Sequence, residues 1–181
     1  DDYGLPRAAV VIPHGAPPLS HVGRAAAKAR LGTGGRRVLS TFGLVDQRKG
    51  LEYAIEAMPQ VVAQHPDALY LIAGQTHPAV VRSDGERYRE RLHARVAALG
   101  LGAHVRFIDE YLTLERIVEV LAATDVYVTP YLDPNQITSG TLAYALGAGR
   151  AIVSTRYLHA AEALADGRGM LVDFRSADQI A

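Results

Sequence analysis

A glycine at position 43 is followed by two adjacent cations, Arg48 and Lys49, where an apolar run gives way to a helical pattern. A helix N-terminus carries partial positive charge, so it is the wrong end for cations. Something anionic should compensate: Asp46 in part, a bound phosphate more fully. Two solvated cations with long stems reaching water are the alternative reading of the same residues. Lys49 is one of only two lysines, arginine supplying the other positive charge. A second stretch, Asp133-Pro134-Asn135-Gln136-Ile137-Thr138-Ser139-Gly140-Thr141, runs into a helix with no acidic residue in its opening turn. Ser139 or Thr138 can serve as the N-cap. The amides of Ser139, Gly140 and Thr141 would then be ready to donate to an anion. An ordinary Ser/Thr cap beside a tolerated glycine explains the stretch equally well.

Whether the two stretches act together depends on the elements that carry them. Apolar runs at 38–42, 69–73, 105–108, 125–129, 151–155 and 170–172 read as strands. Between them, 50–64, 85–99, 114–122, 139–146 and 158–164 read as helices. The helix over 50–64 is marked by Leu51, Ala54, Ile55, Met58, Val61 and Val62 on one face. Strands alternating with helices imply βαβ units, and hence a Rossmann-like α/β fold: a parallel sheet with helices on both faces. Residues 1–36, with a strand at 8–12, a Pro/Gly-rich stretch and a short helix over 22–31, read as an interdomain segment leading into a domain over 37–181. Such sheets bind ligands beyond the carboxyl ends of their strands, where the strand order reverses. With the order 3-2-1-4-5-6, the loops at 43–49 and 130–140 would meet there. Two anion-ready openings at one point suggest a diphosphate. There is no G-x-G-x-x-G and no G-x-x-x-x-G-K-[ST], which argues against a dinucleotide enzyme or a P-loop enzyme.

Composition narrows the partners. The chain has 181 residues, with 19 basic and 19 acidic side chains. That balance argues against nucleic acid. Cysteine is absent, and the seven histidines form no H-x-x-x-H pair, so no metal site is expected. No apolar run approaches the roughly 20 residues of a membrane span, and a cytoplasmic location is expected. His159 and Glu162, three apart on a helix, read as a surface pair. His77, before Pro78, is a loop histidine that could line the crevice. The charged run from Asp84 to Arg95 reads as a solvated helix face.

In this order the motifs resemble the C-terminal lobe of the GT-B glycosyltransferases, most closely the retaining family 4. Thr41-Phe42-Gly43-Leu44 with Arg48-Lys49-Gly50 is similar to the phosphate-binding "G-R … K-G" segment. Leu71-Ile72-Ala73-Gly74 and Val105-Arg106-Phe107-Ile108-Asp109 resemble the second and third strands. Asp125-Val126-Tyr127-Val128-Thr129-Pro130, Ala145-Leu146-Gly147-Ala148-Gly149 and Asp166-Gly167-Arg168-Gly169 resemble later signatures. Ile12-Pro13-His14-Gly15 is similar to the stretch that leaves the N-terminal lobe. The resemblance implies sugar transfer, with retention, from a nucleoside diphosphate sugar to an acceptor hydroxyl. It implies no cofactor or metal, and an N-terminal acceptor-binding lobe outside this chain. Any peripheral membrane contact would belong to that lobe, and the fragment alone would not turn over.

By this resemblance Lys49 and Gln136 would be catalytic. Gly43, Arg48, Lys49, Glu110, Tyr111, Ser139, Gly140, Thr141 and Tyr144 would bind the nucleotide sugar. The sequence departs from the family pattern where its E-x7-E motif falls on Gln136 and Tyr144 and its phosphate-binding arginine on Leu44. This resembles a bacterial subgroup without the glutamate pair. The competing reading is a non-catalytic GT-B-like module that binds a nucleotide or a partner. A sugar-nucleotide epimerase is a weaker third.

Overall fold

The computed structural model describes residues 12, 14–18 and 22–181. Residues 8–11 of the strand expected at 8–12, and Pro13 of the Ile12–Gly15 stretch, lie outside the described residues. Among the described residues six strands form one parallel sheet: β1 (Arg37–Phe42), β2 (Ala68–Ala73), β3 (Val105–Ile108), β4 (Val126–Thr129), β5 (Ala151–Thr155) and β6 (Met170–Val172). Their order is β3-β2-β1-β4-β5-β6, the order expected. The reversal lies between β1 and β4, which pair directly through Leu39 with Val126 and Ser40 with Tyr127.

Among the described residues eight helices flank the sheet: α1 (Arg24–Arg30), α2 (Leu51–Gln64), α3 (Pro78–Asp84), α4 (Arg87–Ala98), α5 (Leu114–Ala123), α6 (Gly140–Gly147), α7 (Leu158–Ala163) and α8 (Ala177–Ile180). Side chains alternate across each strand, so β2 sends Leu69, Leu71 and Ala73 to one face and Ala68, Tyr70 and Ile72 to the other. The first face is covered by α1, α5, α6 and α7 through Ala27, Leu121, Leu142 and Ala160. The second is covered by α2, α4 and α8 through Ile55, Leu92 and Ile180. With both faces buried, each strand needs a nearly continuous apolar run, and these runs are the strands read from the sequence. Helix α1, within the 1–36 segment, is seated on this body: Lys28 and Arg24 both reach Asp125, and Arg30 pairs with Glu119 of α5.

Three local expectations need correction. The helix expected over 85–99 is preceded by another, α3, which the Gly/His/Pro stretch concealed. Pro78 is pre-set for a first helical turn, and the Nδ1 atom of His77 accepts the Ala79 amide at 3.1 Å, so a short helix starts there. Gly85, at φ +63, separates it from α4. Arg48 and Lys49 do not open α2: they form a single 3₁₀ turn, Gln47–Lys49, capped by the Asp46 carboxylate, and Gly50 at φ +58 turns the chain into α2. Nor is α4 a simple solvated face, since Arg89 is only 5% exposed. Among the described residues no helix is long and apolar enough to cross a membrane.

Candidate functional site

The loop after β1 is fixed by its backbone. The amide of Gly43 donates to Ala73 O at 2.9 Å, Val45 N–H to Gln75 O at 2.9 Å, and His77 N–H to Val45 O at 2.9 Å. Gly43 sits at φ +110, a conformation that L side chains rarely adopt. A Cβ there would lie 3.3 Å from Thr141 Cγ2 and 3.5 Å from Lys49 Nζ. The glycine therefore marks the place where Lys49 and the start of α6 converge. The loops also touch at Gly50, where a Cβ would stand 2.3 Å from Pro130 O, and through the Leu132 amide, which donates to Arg48 O at 2.8 Å.

Lys49 is held by Tyr131, a residue the sequence did not single out. Its ammonium donates to the Tyr131 hydroxyl at 2.9 Å and lies 4.5 Å from the ring centroid. The phenol is 2.8 Å from Thr141 Oγ1, which is 3.2 Å from Ser139 Oγ. Ser139 Oγ accepts the Leu142 amide at 3.3 Å, the expected N-cap. Thr155 Oγ1 fixes the Tyr131 carbonyl at 2.6 Å. Burial raises the Tyr131 pKa, but the Lys49 charge and the hydrogen bonds outweigh it and hold the phenol below its ordinary value. The result is a chain of hydroxyls from an ammonium to a helix start, aligned to meet negative charge.

The remaining candidates divide. Gly43, Lys49, Ser139, Gly140 and Thr141 come together. The Ser139 amide is not available to a ligand, however: it donates to His159 Nδ1 at 2.8 Å, because α7 packs beside the loop. The Gly140 and Thr141 amides have no hydrogen-bond partner among the described residues. The ring of His14 lies over Gly140, 3.0 Å from where a Cβ would be, and edge-on to Tyr144 at 5.7 Å between centroids. Tyr144 thus faces the strap at 14–18. Gln136 donates from Nε2 to Thr138 O at 3.1 Å, within its own loop. Arg48 is turned away from Lys49: its guanidinium grips Asp46 through two bonds of 2.9 and 3.2 Å and lines a groove with His77 and Ala79. That pairing pushes the Arg48 pKa up. The Asp46 pKa ends up lowered, although its burial alone would raise it. Glu110 pairs with Arg116 at 2.6 Å, and Tyr111 is 72% exposed; both lie on the rim after β3, apart from Lys49.

Two further residues have roles other than those expected. His159 was expected to pair with Glu162 on the surface, yet its ring caps Ser139. Arg89, hidden in the charged run, donates to Thr76 Oγ1 at 3.0 Å and Gly74 O at 2.7 Å and lies 3.3 Å from Asp109. It ties together the loops after β2 and β3. No sequence signal separated either residue from its solvated neighbours.

Comparison with known proteins gives the family and the fold. Residues 36–181 match the family model described as Glycosyl transferases group 1. Over 148 residues the chain is 32% identical to a phosphatidyl-myo-inositol mannosyltransferase of Mycolicibacterium smegmatis, covering 81% of this chain. The chain spans about a third of that relative's length, 34%. The Anabaena HepE structure with UDP and glucose superposes with a TM-score of 0.74 at 21% identity, over 85% of this chain and 39% of that one. A C-terminal domain of a glycosyl transferase group 1 family protein from Francisella tularensis gives a TM-score of 0.75 at 22% identity, over 88% of this chain and 78% of that one. These likenesses show a shared Rossmann-like α/β fold. With the family model covering the whole sheet, the chain belongs to the Glycosyl transferases group 1 family.

Proposed function

We propose that this chain is the C-terminal, donor-binding lobe of a retaining glycosyltransferase of the family 4 type. It holds a nucleoside diphosphate sugar while an N-terminal lobe presents the acceptor hydroxyl. The observation that carries the reading is the convergence of Lys49, Tyr131, Thr141 and Gly43 where the strand order reverses. The mannosyltransferase relative and the neighbour that holds UDP and glucose support the same substrate class.

The demanding part of such a transfer is the charge that builds on the departing diphosphate. Lys49 would neutralise part of it, and the Gly140 and Thr141 amides would donate to its oxygens. Both are preorganised here, Lys49 by Tyr131 and the amides by the Ser139 cap. Gln136 replaces a carboxylate and would orient the sugar through neutral hydrogen bonds. Metal is not needed in this scheme, and the work is cytoplasmic. The lobe by itself would bind nucleotide weakly and not turn over.

A second reading, a nucleotide-binding module without catalysis, is favoured by the missing glutamates at Gln136 and Tyr144 and by the bond of the Gln136 amide to its own loop. Calorimetric titration of UDP, GDP and ADP into wild type and Lys49→Ala tests the shared site. Losing a charged hydrogen bond costs about 2 kcal/mol, so Lys49→Ala should bind some thirtyfold more weakly. Equal affinity in the two proteins would remove Lys49 from the phosphate site. Transfer assayed with the acceptor lobe present then separates enzyme from module.

A further inference from the structure

The loop that carries Gln136 and opens α6 has no regular structure, yet it is fastened at three points to one helix start. Leu158 N–H donates to Pro134 O at 3.1 Å, His159 N–H to Gln136 O at 3.1 Å, and the His159 ring takes the Ser139 amide on Nδ1 at 2.8 Å. Two of the three come from His159, and they bracket the segment 136–139. The ring bond fixes the chemistry. A nitrogen that accepts must be unprotonated, so the ring's proton is on Nε2 and the ring is neutral. An imidazolium has a donor at both nitrogens and would set N–H against N–H.

We propose that His159 is a positioning residue whose neutral ring clamps the 136–139 segment, and that acidification releases the segment. What the segment presents to a ligand rests on the donor-site reading; the clamp itself does not.

The titratable and charged groups around the ring are His14 of the strap, Glu162 one turn on in α7, and Arg168 beyond it. All line the same cavity of about 670 Å³. The loop and α6 contribute Ile137, Thr138, Ala143 and Leu146 to that cavity, none of them titratable. Burial holds the His159 pKa below its ordinary value; Glu162 opposes this and His14 reinforces it. The sign follows from linkage. The unfolded chain binds a proton that the folded one refuses, so the clamp's contribution is complete above the ordinary histidine value. It is lost as pH falls through the lowered one.

Amide hydrogen exchange on the nucleotide-free protein reads the clamp directly, as the protection of the Ser139 amide between about pH 7.5 and about pH 5. In wild type, protection at Ser139 should fall about tenfold across that range. In His159→Asn, whose side-chain oxygen can accept the same amide without titrating, protection should stay high and level. In His159→Ala it should be low and level. Level protection in wild type, or an asparagine variant that follows the alanine one, overturns the proposal. A protein that shows the expected pattern but binds none of UDP, GDP or ADP ends the donor-site reading and keeps the clamp.

Discussion

The two loops that meet between β1 and β4 are held by different means. The loop after β1 is stitched backbone to backbone onto the loop after β2, with Gly43, Gly50 and Gly74 at positive φ where the chain turns or closes on its neighbour. The loop after β4 has backbone bonds too, from Leu132 to Arg48 and from Leu158 and His159 to residues 134 and 136, but where it meets Lys49 and α6 it is held by side chains: Tyr131, Ser139, Thr141, Thr155 and His159. A backbone-fixed loop tolerates most side-chain changes but not a Cβ on its glycines. A side-chain-fixed loop tolerates small backbone adjustment but loses its shape one hydroxyl or one imidazole at a time. The first supplies a rigid floor for an anion. The second supplies tunable contacts, and its hold on Ser139 depends on the charge of His159.

The sharpest way to break this contrast is Gly74→Ala. The new methyl would lie 2.2 Å from Gly43 O and 2.8 Å from Gly43 C, both backbone atoms, at φ +131. No side-chain rotation relieves that, so the loops after β1 and β2 must part. Overpacking and the strained backbone together should remove about 3–5 kcal/mol, read as a fall in the urea midpoint. A loss below about 1 kcal/mol would mean that the floor is soft and the contrast false.

Arg89 is the exception in the first half, a buried side chain under the backbone stitching. Its guanidinium satisfies Gly74 O and Thr76 Oγ1, while Nη1 is buried without a partner. Arg89→Met keeps the apolar stem and strands the Gly74 carbonyl. Hydrogen bonds from a charged group contribute more than neutral ones, so about 2 kcal/mol should be lost. Equilibrium unfolding gives the value. A change within about 0.5 kcal/mol would show that the backbone ladder alone holds the floor, which would extend the contrast.

The contrast also explains what could be read from the sequence. The strands follow from apolar periodicity, a signal local in the chain, and the order common to such sheets then brings Gly43 and Lys49 to the reversal. Ser139 as the α6 cap is local too. Tyr131 and His159 act across 10 and 20 residues, on Thr141 and Ser139. Arg89 acts across 15, on Gly74. A tyrosine after Pro130, a histidine at helical spacing from Glu162 and an arginine among arginines each had an ordinary local explanation. Arg48 has the local partner that the sequence offered, Asp46 two residues away, and is turned from Lys49 by it. Helix α3 was missed because Pro78 and His77 were read as loop residues instead of as a first turn and its cap.

The smallest expected effect tests whether the second loop acts on the first. Tyr131→Phe keeps the ring under Lys49 and the stack on Tyr157, with centroids 5.5 Å apart, and removes only the hydroxyl. Thr141 Oγ1 retains Ser139 Oγ as a partner, so the α6 cap should survive. Lys49 loses its one acceptor on the protein among the described residues, and its ammonium becomes free to sample several positions. Placing it again on a phosphate should cost about 1 kcal/mol, roughly fivefold in nucleotide Kd by calorimetry. If the hydroxyl acts through Lys49, the same substitution made in Lys49→Ala should have no further effect on binding. Additive losses in the double variant would mean that the phenol meets the ligand itself. The side-chain-held loop would then be part of the binding surface and not a support for the lysine.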